Sequence, residues 1–200
     1  MSHNTWIHRI VRPLVVPLVG TSVSPNHLTT LRLAFGVATA AAYAAGDPDW
    51  RDVGGALFIV AMLLDRADGI LARLSGKTSR FGHRFDLVAD AVCNALAFVS
   101  LGVGLHREAA GWWMVALGLI AGVAVVAVLA LVLRVERAAG PRAAELPSVA
   151  RFDADDAMIA VPIAVWLGWS LPLLWLAGTI TPLVALAFVW RVRRRLVIAP

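Results

Sequence analysis

The two longest uncharged stretches of this chain contain residues 111–133 and 157–190. A helix that spans a bilayer needs roughly 20 mostly apolar residues, so the first stretch suits one span. The second is too long for one ordinary span, and Gly168-Trp169-Ser170-Leu171-Pro172 supplies a break. It predicts two helices, at about 154–169 and 172–192. Residues 28–45 predict another, bounded by Gly46-Asp47-Pro48-Asp49. Residues 53–74 are apolar up to Leu64 and then charged, and residues 81–105 again carry their charges near one end. The reading is an all-α integral membrane protein with six transmembrane helices, forming a single domain over residues 1–200. Composition agrees, with 60% hydrophobic and 16% charged residues and a mean hydropathy of +0.77.

Ahead of the spans, Trp6, Ile7, Ile10, Val11, Leu14 and Val15 recur at helical spacing, with His8, Arg9 and Arg12 between them. This predicts an N-terminal amphipathic helix within residues 6–20, lying in the membrane interface. No signal-peptide layout is evident, because Pro13 and Pro17 interrupt the apolar run. The lone cysteine, Cys93, allows no intrachain disulfide and reads as a small packing residue.

The formal net charge is +5, but the basic residues cluster between apolar segments. That fits anionic lipid headgroups better than nucleic acid. Arg9 and Arg12, then Arg73, Lys77, Arg80 and Arg84, then Arg134, Arg137, Arg142 and Arg151, then Arg191, Arg193, Arg194 and Arg195 fall on one side of the predicted topology. The other side has Arg51 and Arg107 with several acids. The positive-inside rule puts both termini in the cytoplasm, and the even helix count agrees. Trp50, Trp112, Trp113, Trp169 and Trp190 lie near predicted helix ends, as interface anchors do.

Asp65, Asp68, Asp86 and Asp90 stand out against this background. Carboxylates are costly in a bilayer unless paired, metal-bound or facing a wet cavity. Asp65 and Asp68, three apart, share one face of the second span; Asp86 and Asp90, four apart, share one face of the third. A short turn near residues 75–80 makes these helices antiparallel neighbours. At a rise of about 1.5 Å per residue, both pairs reach a similar depth in the cytoplasmic half of the membrane. Four converging carboxylates suit hard divalent ions such as Mg²⁺ or Mn²⁺, two of which would neutralise the cluster and clamp a diphosphate. Gly69 and Gly82 permit close approach to the backbone, and Arg73 is one turn past Asp68. The bland alternative is a structural charge network with Arg66, Arg73 and Arg84. A rival function is a divalent-cation carrier that uses the same acids as an ion path.

Asp65, Asp68, Gly69, Ala72, Arg73, Gly82, Asp86 and Asp90 match at every position the spacing D-x₂-D-G-x₂-A-R-x₈-G-x₃-D-x₃-D. In this the chain resembles the CDP-alcohol phosphotransferase family. Ser24-Pro25-Asn26-His27-Leu28-Thr29-Thr30-Leu31-Arg32 also looks like the start of the first span in that family, and the six-helix plan is similar. The resemblance covers about residues 6–195 and is weakest after about 135. It implies transfer of a substituted phosphate from a CDP-linked donor, CDP-diacylglycerol by analogy, to an alcohol with release of CMP. It implies metal ligation by Asp65, Asp68, Asp86 and Asp90, with Asp86 bridging two ions and Asp90 also the general base. Gly69, Arg73 and Ser79 match positions that contact the CDP moiety, Asn26 and Thr29 lie in the stretch that borders the same pocket, and a homodimer in the cytoplasmic membrane is expected. The acceptor is open among serine, glycerol phosphate, inositol phosphate and other polyols.

Some residues divide between roles. Arg134, Arg137, Arg142 and Arg151 either anchor the cytoplasmic face or bind an anionic acceptor. Asp153, Asp155 and Asp156 precede the fifth span and suit its helix dipole. His83 is next to Gly82 but is weak as a metal ligand on its own.

Overall fold

The computed structural model of the chain describes residues 6–140 and 158–198. Within them the chain is helical, without a strand: α1 Trp6–Val15, α2 Pro25–Ala44, α3 Pro48–Leu74, α4 Arg80–Leu105, α5 Trp113–Ala139, α6 Ala160–Trp166 and α7 Ser170–Ile198. Arg142, Arg151, Asp153, Asp155, Asp156 and the start of the expected fifth span lie outside the described residues.

Side-chain caps set three helix starts earlier than hydropathy predicts. Ser24 and His27 form a reciprocal cap, with His27 N–H donating to Ser24 Oγ at 3.4 Å and Ser24 N–H to His27 Nδ1 at 3.3 Å. Asp47 Oδ1 accepts from Trp50 N–H at 3.1 Å, so α3 begins at Pro48 rather than 53. Ser79 Oγ accepts from Gly82 N–H at 2.9 Å and starts α4. At the other extreme, α5 runs on to Ala139, beyond the apolar stretch that ends at 133. Hydropathy marks a membrane boundary, whereas a helix continues while its backbone bonds are satisfied. The expected break between the last two helices is present: α6 ends at Trp166, Gly168 adopts φ +72°, and α7 starts at Ser170.

Among the described residues, three helical segments are long and apolar enough to cross a membrane: Arg80–Glu108, Trp113–Arg137 and Ser170–Ala187. Their exposed side chains include Leu119, Ile120 and Val123 of α5 and Leu176, Leu183 and Val184 of α7, a surface suited to lipid. α2 and α3 are long enough but carry Arg32 and Asp65-Arg66-Ala67-Asp68, which dilute their apolar character. α6 is described for seven residues.

One core joins α2 through α7, through Tyr43, Phe58, Phe98, Met114, Val161 and Leu174 respectively. A smaller one docks α1: Ile7, Val11 and Val15 bury against Ala67, Ile70 and Leu71 of α3. The apolar set read in the sequence therefore divides, since Ile10 and Leu14 are exposed beside Arg9 and Arg12.

α2 packs on both α3 and α4, α4 on α5, and α5 on α7. This corrects the expectation that α3 and α4 are direct neighbours: each leans on α2, with little packing between them. The carboxylates of α3 and α4 repel one another, while α2 brings an arginine to both. Small residues permit the close approach, as helix packing in lipid requires. A Cβ on Gly36 would stand 2.4 Å from Cys93 Sγ, and one on Gly104 would stand 2.0 Å from the Tyr43 carbonyl oxygen. A backbone oxygen has little room to yield. Gly104→Ala is therefore expected to cost about 1–3 kcal/mol, the usual range for overpacking. Thermal unfolding in detergent should show a lowered midpoint; an unchanged one would contradict the α2–α4 contact.

Candidate active site

Three helices build the site. α3 supplies Asp65 and Asp68 before the chain reverses at residues 75–79, α4 supplies Asp86 and Asp90 after it, and α2 supplies Thr29 and Arg32. One carboxylate oxygen from each of Asp65, Asp68 and Asp86 lies within 4.8 Å of the others. This all-oxygen donor set suits a hard divalent cation, so the residues fit the ion that the sequence implies. Asp90 stands apart from that group of three.

Asp68 is the most enclosed of the four, at 2% exposure, and Thr29 Oγ1 donates to its Oδ2 at 2.6 Å. The hydroxyl of Thr29, expected at the nucleotide pocket, is thus committed to a carboxylate, although the residue also lines that pocket. Arg32 is buried at 3%. Its Nη1 pairs with Asp65 and donates to Asp86 Oδ1 at 3.0 Å, and its Nη2 donates to Asp90 Oδ1 at 2.5 Å. Asn94 Nδ2 also donates to Asp90 Oδ1, at 3.1 Å. Arg66 Nη1 lies 3.8 Å from Asp65 Oδ2. In a low-dielectric interior such charge-assisted bonds hold a carboxylate in position. Arg32 is the residue of this cluster that sequence reasoning did not place there. The available signal was a charged residue inside an otherwise apolar span, which must find a partner.

A cavity of about 770 Å³ opens on this cluster, within the range of small-molecule sites. Asn26, Thr29, Gly69, Arg73, Ser79, Asp65, Asp68 and Asp86 all line it. The residues expected at the CDP pocket are therefore brought together with three of the four aspartates. A Cβ on Gly82 would stand 3.1 Å from Ser79 Oγ and 3.2 Å from Asn26 Oδ1, so the glycine leaves room for both polar groups beside it. Arg73 folds over Gly69, whose Cβ would lie 3.4 Å from Nη1, and its Nη2 is 3.2 Å from His8 Nε2. His83 is held by Glu136, with Nε2 at 3.0 and 3.1 Å from the carboxylate oxygens, and both line the same cavity, as does Arg137.

Asp90 faces a second cavity of about 200 Å³, with Arg32, Asp65 and Arg66. Apart from Asn94, its other walls are apolar and include Ile7 of α1, Phe58 and Met62 of α3, and Met158. Asp65 and Arg66 line both cavities. A charged chamber and an apolar one thus share a wall at the carboxylates.

These features define a helical membrane protein with an acidic, divalent-ion type of site. The model of the CDP-alcohol phosphatidyltransferase family matches residues 22–192, and the chain belongs to that family. It is therefore a transferase of substituted phosphate groups that takes a CDP-alcohol, in a family that uses divalent metal ions. A comparison with curated proteins finds no match.

Proposed function

We propose that this chain transfers the phosphatidyl group of CDP-diacylglycerol to an alcohol and releases CMP, at the cytoplasmic face of the cytoplasmic membrane. The observation that carries the reading is the pair of adjoining cavities: a polar one lined by Asn26, Gly69, Arg73, Ser79 and three aspartates, and an apolar one ending on Asp65 and Asp90. A nucleotide diphosphate suits the first and a lipid portion the second, which favours a CDP-lipid over a soluble CDP-alcohol. Asp65, Asp68 and Asp86 would hold one divalent ion and Asp86 and Asp90 a second, Mg²⁺ or Mn²⁺, and these would supply countercharge for the diphosphate and the departing CMP.

The chain's own residues then orient and move a proton. Arg73 pairs with a phosphate oxygen, and Gly69 leaves room for it. The acceptor hydroxyl forms a bond to the phosphorus that bears the diacylglycerol, and the bond from that phosphorus to the bridging oxygen breaks. CMP leaves with the bridging oxygen, and the hydroxyl proton passes to Asp90. No covalent enzyme intermediate is required. Arg137, which lines the polar cavity, is in place for an anionic acceptor. The topology in this reading has six crossings and both termini in the cytoplasm, with α1 in the interface.

Gly69→Ala separates stability from binding. A helix-interior glycine costs about 0.8–1 kcal/mol relative to alanine, so the variant should unfold at a slightly higher temperature. Its new methyl enters the nucleotide cavity and should weaken CDP binding about tenfold, read by calorimetry on purified protein; undiminished binding would remove Gly69 from the pocket. The function itself is tested by supplying purified protein with labelled CDP-diacylglycerol, Mn²⁺ and a panel of alcohols, then weighing the lipid products by mass spectrometry. One new phospholipid is expected; a soluble phosphodiester formed only from a soluble CDP-alcohol would overturn the lipid-donor reading. The homodimer implied by the resemblance is checked by the mass of the solubilised particle.

A further inference from the structure

Arg32 lies on α2, which contributes no carboxylate, yet its guanidinium spans carboxylates from α3 and α4. The first ion has a ready group of ligands in Asp65, Asp68 and Asp86. A second ion would lie between Asp86 and Asp90, and these are two of the carboxylates that the Arg32 guanidinium joins, at 3.0 and 2.5 Å. A planar guanidinium with several donors suits this bridging place, but it carries one positive charge where a divalent ion carries two. It cannot withdraw far. The Gly36–Cys93 approach fixes the α2 backbone one turn further along against α4, and the side chain is enclosed at 4% exposure.

We propose that Arg32 fills the second-ion place until the nucleotide diphosphate binds, so that the protein takes up one divalent ion alone and two with CDP. This rests on the metal reading given above. Without nucleotide, an incoming dication meets the buried cation of Arg32 at short range and is repelled. The diphosphate adds negative charge on the open side of the cluster, which offsets that repulsion. Arg32 then yields Asp86 and keeps Asp90, so it acts as a positioning residue for the proposed base.

Bound Mn²⁺ can be counted from the loss of the free-ion electron paramagnetic resonance signal, using the full chain in detergent with and without CDP. The wild type is expected to bind one Mn²⁺ per chain alone and two with CDP. In Arg32→Gln the second ion should bind without CDP, at least about tenfold more tightly than in the wild type without CDP. Arg32→Lys, which keeps the charge, should restore the dependence on CDP. Two equal Mn²⁺ sites in the wild type without CDP would overturn the proposal while leaving the metal reading intact, and this count needs no variant. Absence of Mn²⁺ binding under either condition would overturn both.

Discussion

Asp68→Asn is expected to lower CMP release by about 10³-fold or more and to abolish tight Mn²⁺ binding, while leaving the helical fold in place. Such a loss corresponds to about 4 kcal/mol of transition-state stabilisation, within reach of one electrostatic contact in a water-poor site. Three properties of Asp68 lead to this expectation. It is nearly inaccessible, it belongs to the group of three convergent carboxylates, and Thr29 fixes one of its oxygens at 2.6 Å. Asparagine keeps the shape and can still accept from Thr29 through its amide oxygen, so the variant removes charge and little else. Thr29→Val provides the graded comparison. It leaves the carboxylate but frees its rotation, and a loss of about tenfold is expected, in line with one charge-assisted hydrogen bond. CMP release measured beside Mn²⁺ binding separates the two variants. An active Asp68→Asn that still binds Mn²⁺ would place the ion elsewhere.

Asp90→Asn is expected to produce the other kind of failure: turnover falls by about 10²–10⁴-fold, the range of general-base contributions, while CDP still binds through the first ion and the polar cavity. Asp90 faces the apolar cavity and lies outside the convergent three, so the first ion and the nucleotide keep their ligands. Arg32 and Asn94 both donate to Oδ1 of Asp90, which holds the carboxylate in one orientation. Calorimetric CDP binding together with a turnover assay reads both halves of this prediction. Normal turnover would remove Asp90 from the role of base, and lost CDP binding would make it part of the nucleotide pocket instead.

The gaps between Asp65, Asp68, Asp86 and Asp90 were legible because helical periodicity converts spacing into a shared face. The residues near them, Asn26, Gly69, Arg73 and Ser79, were legible through a resemblance that the family match then supported. Arg32 was not, because an apolar span containing one arginine does not reveal which neighbour the charge meets; that depends on how α2 is rotated against α3 and α4. The separation of α3 from α4 escaped for a related reason. A five-residue turn brings helix ends together but does not determine whether a third helix packs against both. Helix starts at Pro25, Pro48 and Arg80 depend on the caps Ser24, Asp47 and Ser79, which hydropathy does not weigh. The extension of α5 to Ala139 escaped because Arg134 and Arg137 end the apolar run without ending the helix. The pairing of His83 with Glu136 links residues 53 apart and becomes visible only in the fold.

The central claim is that one divalent-ion site, built by α2, α3 and α4, activates a CDP-linked donor. Its most direct test is CMP release from CDP-diacylglycerol in detergent by the purified chain, with a mixture of acceptor alcohols, after chelation and again after Mn²⁺ is restored. The account predicts no release after chelation, recovery with Mn²⁺, and no recovery in Asp68→Asn. Equal CMP release with and without the divalent ion would contradict it.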